Sequence, residues 1–99
     1  MTTLRLREEA LADLVNIYDY GARSFGWIAA EAYLQSIDGA LEQLKRHPLS
    51  GTAKPELATD LRSLSHRQHH IFYLFAEDHV SVVRILHKSM DASQRLISI

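Results

Sequence analysis

The polar chemistry open to this chain is concentrated in its second half, where Arg62, Tyr73, Arg84, His87 and Lys88 stand. Cleavage of RNA by its own 2′-hydroxyl needs a base that titrates near the working pH, an acid, and cations on the phosphate. His87 could supply the base, Arg62 and Arg84 the cations, and Lys88 or Tyr73 an assisting group. Spacing alone does not make these groups converge. The closing residues Gln94-Arg95-Leu96-Ile97-Ser98-Ile99 are mostly uncharged and add only one further cation, Arg95. Each residue also has a structural role open to it. Arg84, set in an apolar strand, can lie along the open sheet face bonded to a carboxylate such as Asp91. His87 can end its strand on a backbone bond. His66, His69 and His70 suggest zinc only weakly, because the chain has no cysteine and no fourth ligand stands out. A solvated loop is the better account of that stretch.

Composition narrows the class. Ninety-nine residues, 46% hydrophobic and 23% charged, fit one globular domain over 1–99 with a modest core. Eleven Lys/Arg against twelve Asp/Glu give a net charge of −1, which argues against specific nucleic-acid binding by charge alone. The lack of cysteine excludes disulfides and thiolate chemistry. No apolar run approaches the ~20 residues of a membrane span, and the first residues lack a signal-peptide pattern. A small cytoplasmic domain with no membrane partner is expected.

The elements that must position these residues follow from periodicity. Leu4-Arg5-Leu6 alternates like a short half-exposed strand. Leu11, Leu14, Val15, Tyr18, Ala22 and Phe25 recur at helical offsets from a start near Glu8, with no good capping residue before it. Gly26 suits a tight turn into a second helix carrying Ala30, Tyr33, Leu34, Ile37, Leu41 and Leu44, which Pro48 stops. Pro48 to Asp60 reads as a long loop with one helical turn at Glu56-Leu57-Ala58. Strands follow at Leu61–Leu64, Ile71–Phe75 and Val80–His87, and Asp91 or Ser93 can cap a short final helix carrying Leu96 and Ile97. The order predicts α+β: an N-terminal strand, an antiparallel two-helix hairpin, a three-stranded antiparallel meander, and a short C-terminal helix or tail. Ile71-Phe72-Tyr73-Leu74-Phe75 is apolar on both sides, yet the hairpin covers only one. The other face is expected to be open to a partner.

Several segments carry a family resemblance when taken in order. They are Ala12-Asp13-Leu14-Val15-Asn16-Ile17-Tyr18, Gly26-Trp27 with Tyr33, His47-Pro48-Leu49-Ser50-Gly51 before Leu61-Arg62, and His70-Ile71-Phe72-Tyr73. Last comes Val82-Val83-Arg84-Ile85-Leu86-His87-Lys88-Ser89-Met90-Asp91. The set resembles the ParE-type toxins of the RelE/ParE superfamily over nearly the whole chain. Two departures are Asp60, where the family commonly has glycine before the first hairpin strand, and the His-rich Ser65–His69.

The resemblance implies a toxin of a type II toxin–antitoxin system, without cofactor, held in a hetero-oligomer by a ParD-like antitoxin. It also implies a target, DNA gyrase, inhibited by trapping its cleaved-DNA intermediate without chemistry by the toxin. A RelE-like ribosome-dependent mRNA endoribonuclease is the alternative. On this view Arg62, Arg84, His87, Lys88, Met90 and Asp91 are candidates for contact with target or phosphate. Tyr20, Trp27, Phe72 and Leu74 are candidates for contact with the antitoxin.

Overall fold

The architecture was established from a computed structural model, which describes residues 2–96. Strand β1 (Thr3–Leu6) leads into helices α1 (Glu8–Phe25) and α2 (Trp27–Arg46). Then come β2 (Thr52–Ala53), β3 (Leu61–His66), β4 (His69–Ala76), β5 (His79–His87) and a four-residue α3 (Ala92–Arg95). The strands form a single five-stranded sheet in the order β1-β5-β4-β3-β2. This corrects the expected three-stranded antiparallel meander. The sheet is mixed, because β1 runs parallel to β5 with Leu4 opposite Val80 and Leu6 opposite Val82. It also gains a short antiparallel edge, β2, inside the segment read as loop. The parallel pair is possible because the hairpin α1–α2 and strands β2–β4 intervene between its members, giving a long crossover connection.

Local chemistry explains the breaks between elements. Gly26 joins the helices at φ 92°, a conformation that side chains resist, and no side chain caps the start of α1. Glu77 and Asp78 both take positive φ, 54° and 61°, in the two-residue turn between β4 and β5, as a primed hairpin turn demands. Asp60 sits at φ 63°, a left-handed position that glycine adopts freely and that aspartate tolerates better than most residues. That accounts for the departure from glycine noted there. No described helix is long and apolar enough to cross a membrane.

Two clusters hold the molecule together. On the helix side Ala10, Ile37, Leu41 and Leu44 pack on Ile71, Tyr73, Val80, Val82 and Ile85. On the other side Leu61, Phe72, Val83, Leu86 and Leu96 form a second cluster, roofed by Leu57, Ala58 and Ala92. The second sheet face is therefore covered by the chain's own loop and C-terminal segment, and the expectation of an open face is overturned. Phe72, expected at an antitoxin contact, is 3% exposed within that cluster.

The expected inner face of α1 also needs correcting. Leu11, Val15 and Phe25 are exposed, whereas Ala10 and Asp13 are buried with Leu14 and Ile17 packed beside them. Helix α1 carries two apolar stripes, and the sheet uses the one that includes Asp13.

The loop after α2 is fastened at Tyr73, whose hydroxyl donates to the Pro48 carbonyl at 2.7 Å and accepts from the Gly51 amide at 2.9 Å. A Cβ on Gly51 would lie 2.6 Å from the Tyr73 Oη and 2.9 Å from the Ser63 carbonyl oxygen. Gly51→Ala is expected to destabilise the fold by about 1–3 kcal/mol through this overpacking, measured as a lower urea midpoint at unchanged m-value.

Candidate functional site

The most concentrated polar structure in the molecule is a joint at one edge of the sheet. Strand β1 pairs with β5 only from His79 to Val82, so the following part of β5, paired with β4 on its other side, has no strand on the side β1 leaves. Asp13, reaching down from α1, takes the vacant place: its Oδ2 accepts from the Ile85 amide at 2.8 Å. The same carboxylate receives Arg84 Nε and Nη2, each at 2.8 Å, in a two-pronged ion pair. Arg84 lies opposite Phe72 in the β4–β5 register and so projects to the face that carries Leu96. It reaches round the β5 edge to meet Asp13, and its Nη1 donates to the Arg95 carbonyl of α3 at 3.1 Å. Asp13 is only 8% exposed, and its hydrogen bonds hold the Arg84 pKa above the usual arginine value. The partner of Arg84 is therefore Asp13 and not Asp91. Asp91 instead caps α3, its Oδ1 accepting from the Ser93 amide and hydroxyl at 3.1 and 2.7 Å.

The histidine-rich stretch read as solvated loop is the β3–β4 hairpin, packed against α2. His69 is buried and neutral. With its proton on Nε2, its Nδ1 accepts from the Tyr33 hydroxyl at 2.6 Å, and that hydroxyl accepts from the Gln68 amide at 3.3 Å. His66 Nε2 donates to Ser36 Oγ at 2.9 Å. The His87 ring stands edge-on to His69, centroids 5.3 Å apart, and its Nδ1 accepts from the Ser89 amide and hydroxyl.

Burial, reinforced by neighbouring His87 and His66, pushes the His69 pKa down to about 4. Burial likewise lowers His66 and His70 and raises Tyr33. The unfolded chain protonates His69 near 6.5, so between that pH and 4 it binds a proton that the folded chain does not, and stability falls on acidification. Urea titrations at pH 7 and pH 5 should differ by about 2 kcal/mol from His69 alone, and His69→Gln should flatten that difference.

Between the hairpin helices, the β5 edge and the C-terminal turn lies a cleft of about 790 Å³. Asp13, Arg84, His69 and His87 line its floor, with Tyr20, Phe25 and Met90 at its mouth. Tyr20, Phe25, Trp27, Ile28 and Met90 are large apolar side chains left exposed, from 42% for Met90 to 72% for Phe25. They cluster in sequence at the hairpin tip and the C-terminal turn.

The six target or phosphate candidates do not assemble into one site. Arg62 lies opposite Tyr73 and Arg84 opposite Phe72, adjacent positions on β4, so the two arginines leave opposite faces of the sheet. Arg62 is committed to the Gly51 and Leu49 carbonyls at 2.9 and 3.1 Å, beside a separate hollow of about 250 Å³. His87, Arg84 and Met90 do line the cleft, while Lys88 and Asp91 are exposed on the turn and cap that follow β5. Of the antitoxin candidates, Tyr20 lines the cleft, Trp27 is exposed at the tip, and Leu74 is half-buried under the second cluster. Sequence reasoning missed Asp13, Tyr33 and His69. The alternation His69, Ile71, Tyr73 carried the signal for His69, and the i, i+3, i+4 spacing of Ala10, Asp13 and Leu14 carried that for Asp13.

Comparisons with known proteins place this geometry. A family model described as "ParE toxin of type II toxin-antitoxin system, parDE" matches residues 4–92. The chain is 30% identical over 96 residues to Toxin ParE1 of Caulobacter vibrioides, covering 97% of this chain and 99% of that one. It is 34% identical over 92 residues to Toxin ParE1 of Mycobacterium tuberculosis, covering 92% and 94%. Among solved structures it resembles a chain of the chromosomal ParDE TA system from P. aeruginosa, with TM-score 0.78, 22% identity and coverage of 88% and 96%. It also resembles a chain of the YoeB-YefM complex from Staphylococcus aureus, with TM-score 0.58, 17% identity and coverage of 88% and 97%. At these identities the two structures speak for the fold alone.

Proposed function

Since the chain belongs to the ParE toxin family, we propose that it is a toxin that inhibits DNA gyrase by protein contact, without chemistry of its own, and that a ParD-like antitoxin silences it. Its place as the toxin component of a type II toxin–antitoxin system follows from the family. The finer reading is supported by one observation above the others: the cations that a nuclease would aim at a phosphate diverge. Arg62 and Arg84 project from opposite faces of the sheet. Arg62 is bound to loop carbonyls, and Arg84 to Asp13 and the Arg95 carbonyl. His87 spends its Nδ1 lone pair on Ser89. Phosphoryl chemistry needs such groups converging within hydrogen-bond reach of one substrate.

The alternative reading is a RelE-like ribosome-dependent mRNA endoribonuclease. For this chain, the exposed Tyr20, Phe25, Trp27 and Met90 around the cleft suit an apolar segment of the antitoxin, laid down by coupled folding and binding. Candidate contacts with the target are Lys88, Met90 and Asp91, which are exposed on the C-terminal segment. Induction of the chain alone should arrest growth, and co-expression of the neighbouring ParD-like antitoxin should restore it. Primer extension on total mRNA from arrested cells should show no new 5′ ends. New ends that vanish with His87→Ala would overturn the reading in favour of the endoribonuclease.

A further inference from the structure

We infer that Asp13 is a positioning residue that seats the C-terminal segment Lys88–Leu96 for target contact, acting through Arg84. The inference rests on the reading that this segment meets the target. Its geometry is independent of that reading. One buried carboxylate accepts three hydrogen bonds at 2.8 Å: two from Arg84 and one from the backbone of β5 at Ile85. The guanidinium fixed in this way passes a further bond to the Arg95 carbonyl at 3.1 Å.

The chain of contacts spans three elements, α1, β5 and α3, and both faces of the sheet. Arg84 leaves β5 toward the face that carries Leu96, and Asp13 approaches from the helix side. The guanidinium is planar and donates along fixed directions, so anchoring two of its corners on Asp13 aims the third. Apart from this bond, α3 is held by the Asp91 cap, by packing of Ala92 on the second cluster and by burial of Leu96, and it is only four residues long. A helix that short does not hold its own place, because one turn yields too few backbone bonds for the residues it fixes. Its position is set from outside, and Asp13 is where the setting begins. The arrangement also explains a buried acid at an inward position of α1, where an apolar residue would otherwise serve the core. No apolar side chain could accept from Ile85 and orient Arg84 together.

The test uses the full chain carrying Asp13→Asn, Arg84→Lys or, as a control for general destabilisation, Leu44→Ala. Two readouts are taken: amide hydrogen exchange, and growth inhibition against inducer concentration. Asp13→Asn and Arg84→Lys should each speed exchange across Ser89–Leu96 at least tenfold relative to β3 and β4, and raise the inducer needed for arrest at least tenfold. Leu44→Ala should shift exchange throughout the core without singling out that segment. Arg84→Lys retains the charge but not the fork, so it decides the matter if Asp13→Asn fails to fold. Exchange at Ser89–Leu96 that stays in step with β3 and β4 overturns the inference. Selective release of the segment with undiminished growth arrest would leave the seating intact and sink the reading that this segment meets the target.

Discussion

Replacement of Asp13 by alanine is expected to destabilise the protein by about 3–5 kcal/mol, the largest effect of any single polar substitution in the described residues. Forming such a pair gains little over an apolar one, because both charges lose water on burial. Breaking it is different. Without the carboxylate, the Arg84 guanidinium, whose side chain is only 20% exposed, loses its counter-charge. The Ile85 amide loses its acceptor at a strand edge where β1 has already ended. A domain of this size has a total stability on the order of 5–15 kcal/mol, so Asp13→Ala should lose a substantial share of it. Urea denaturation checks the size of the loss, and the double variant Asp13→Ala/Arg84→Ala should recover part of it. If the double variant is no more stable than the single one, the stranded guanidinium is not the cause.

The second large effect separates two residues that the sequence grouped as partner contacts. Phe72→Ala should cost about 3–5 kcal/mol of folding stability, since Phe72 is enclosed by Leu61, Val83, Leu86 and Leu96 and its truncation leaves a cavity. Tyr20→Ala should leave the thermal midpoint nearly unchanged, because Tyr20 is 65% exposed at the cleft mouth. Its effect should fall on binding: about 2 kcal/mol, or roughly thirtyfold weaker antitoxin affinity, the size expected of an aromatic anchor that becomes buried in an interface. Calorimetric titration of the antitoxin into each variant distinguishes the two. Antitoxin affinity for Tyr20→Ala within twofold of the unsubstituted chain would remove the cleft mouth from the interface.

Much of the layout was legible in the residues. Gly26 and Pro48 bounded α2, the β-branched run from Val80 marked β5, and Asp91 was a readable cap for α3. What was not legible has identifiable causes. Leu4 and Leu6 alternate as a strand must, but alternation says nothing about which strand lies alongside, so the parallel pairing with β5 could not be read. Strand β2 has two residues, Thr52 and Ala53, and two residues have no period. On α1 the larger side chains Leu11, Val15 and Phe25 drew the inner face to themselves. The true inner face joins Leu14 and Ile17 to small residues and an acid, Ala10, Asp13 and Gly21, and Gly21 lets α2 approach closely enough that a Cβ there would lie 3.2 Å from that of Ala30.

The site was less legible than the fold for a similar reason. The structure brings Arg84 and His87 to the cleft, but a charge pattern does not name partners seventy residues away. The pairing of Arg84 with Asp13 depends on β1 ending at Leu6 and leaving the β5 edge vacant. That is a fact of topology and not of local sequence. His66, His69 and His70 were judged by their polarity, when the alternation of His69 with Ile71 and Tyr73 put it on the helix side, where its strand partner His66 also meets α2.

The most direct measurement is a DNA cleavage and supercoiling assay with purified gyrase, ATP and relaxed plasmid, with the toxin added alone or with a molar excess of ParD-like antitoxin. Loss of supercoiling with accumulation of linear, protein-linked DNA, reversed by the antitoxin, is the predicted result. Full supercoiling and no trapped DNA at toxin concentrations well above those of gyrase would contradict inhibition by contact.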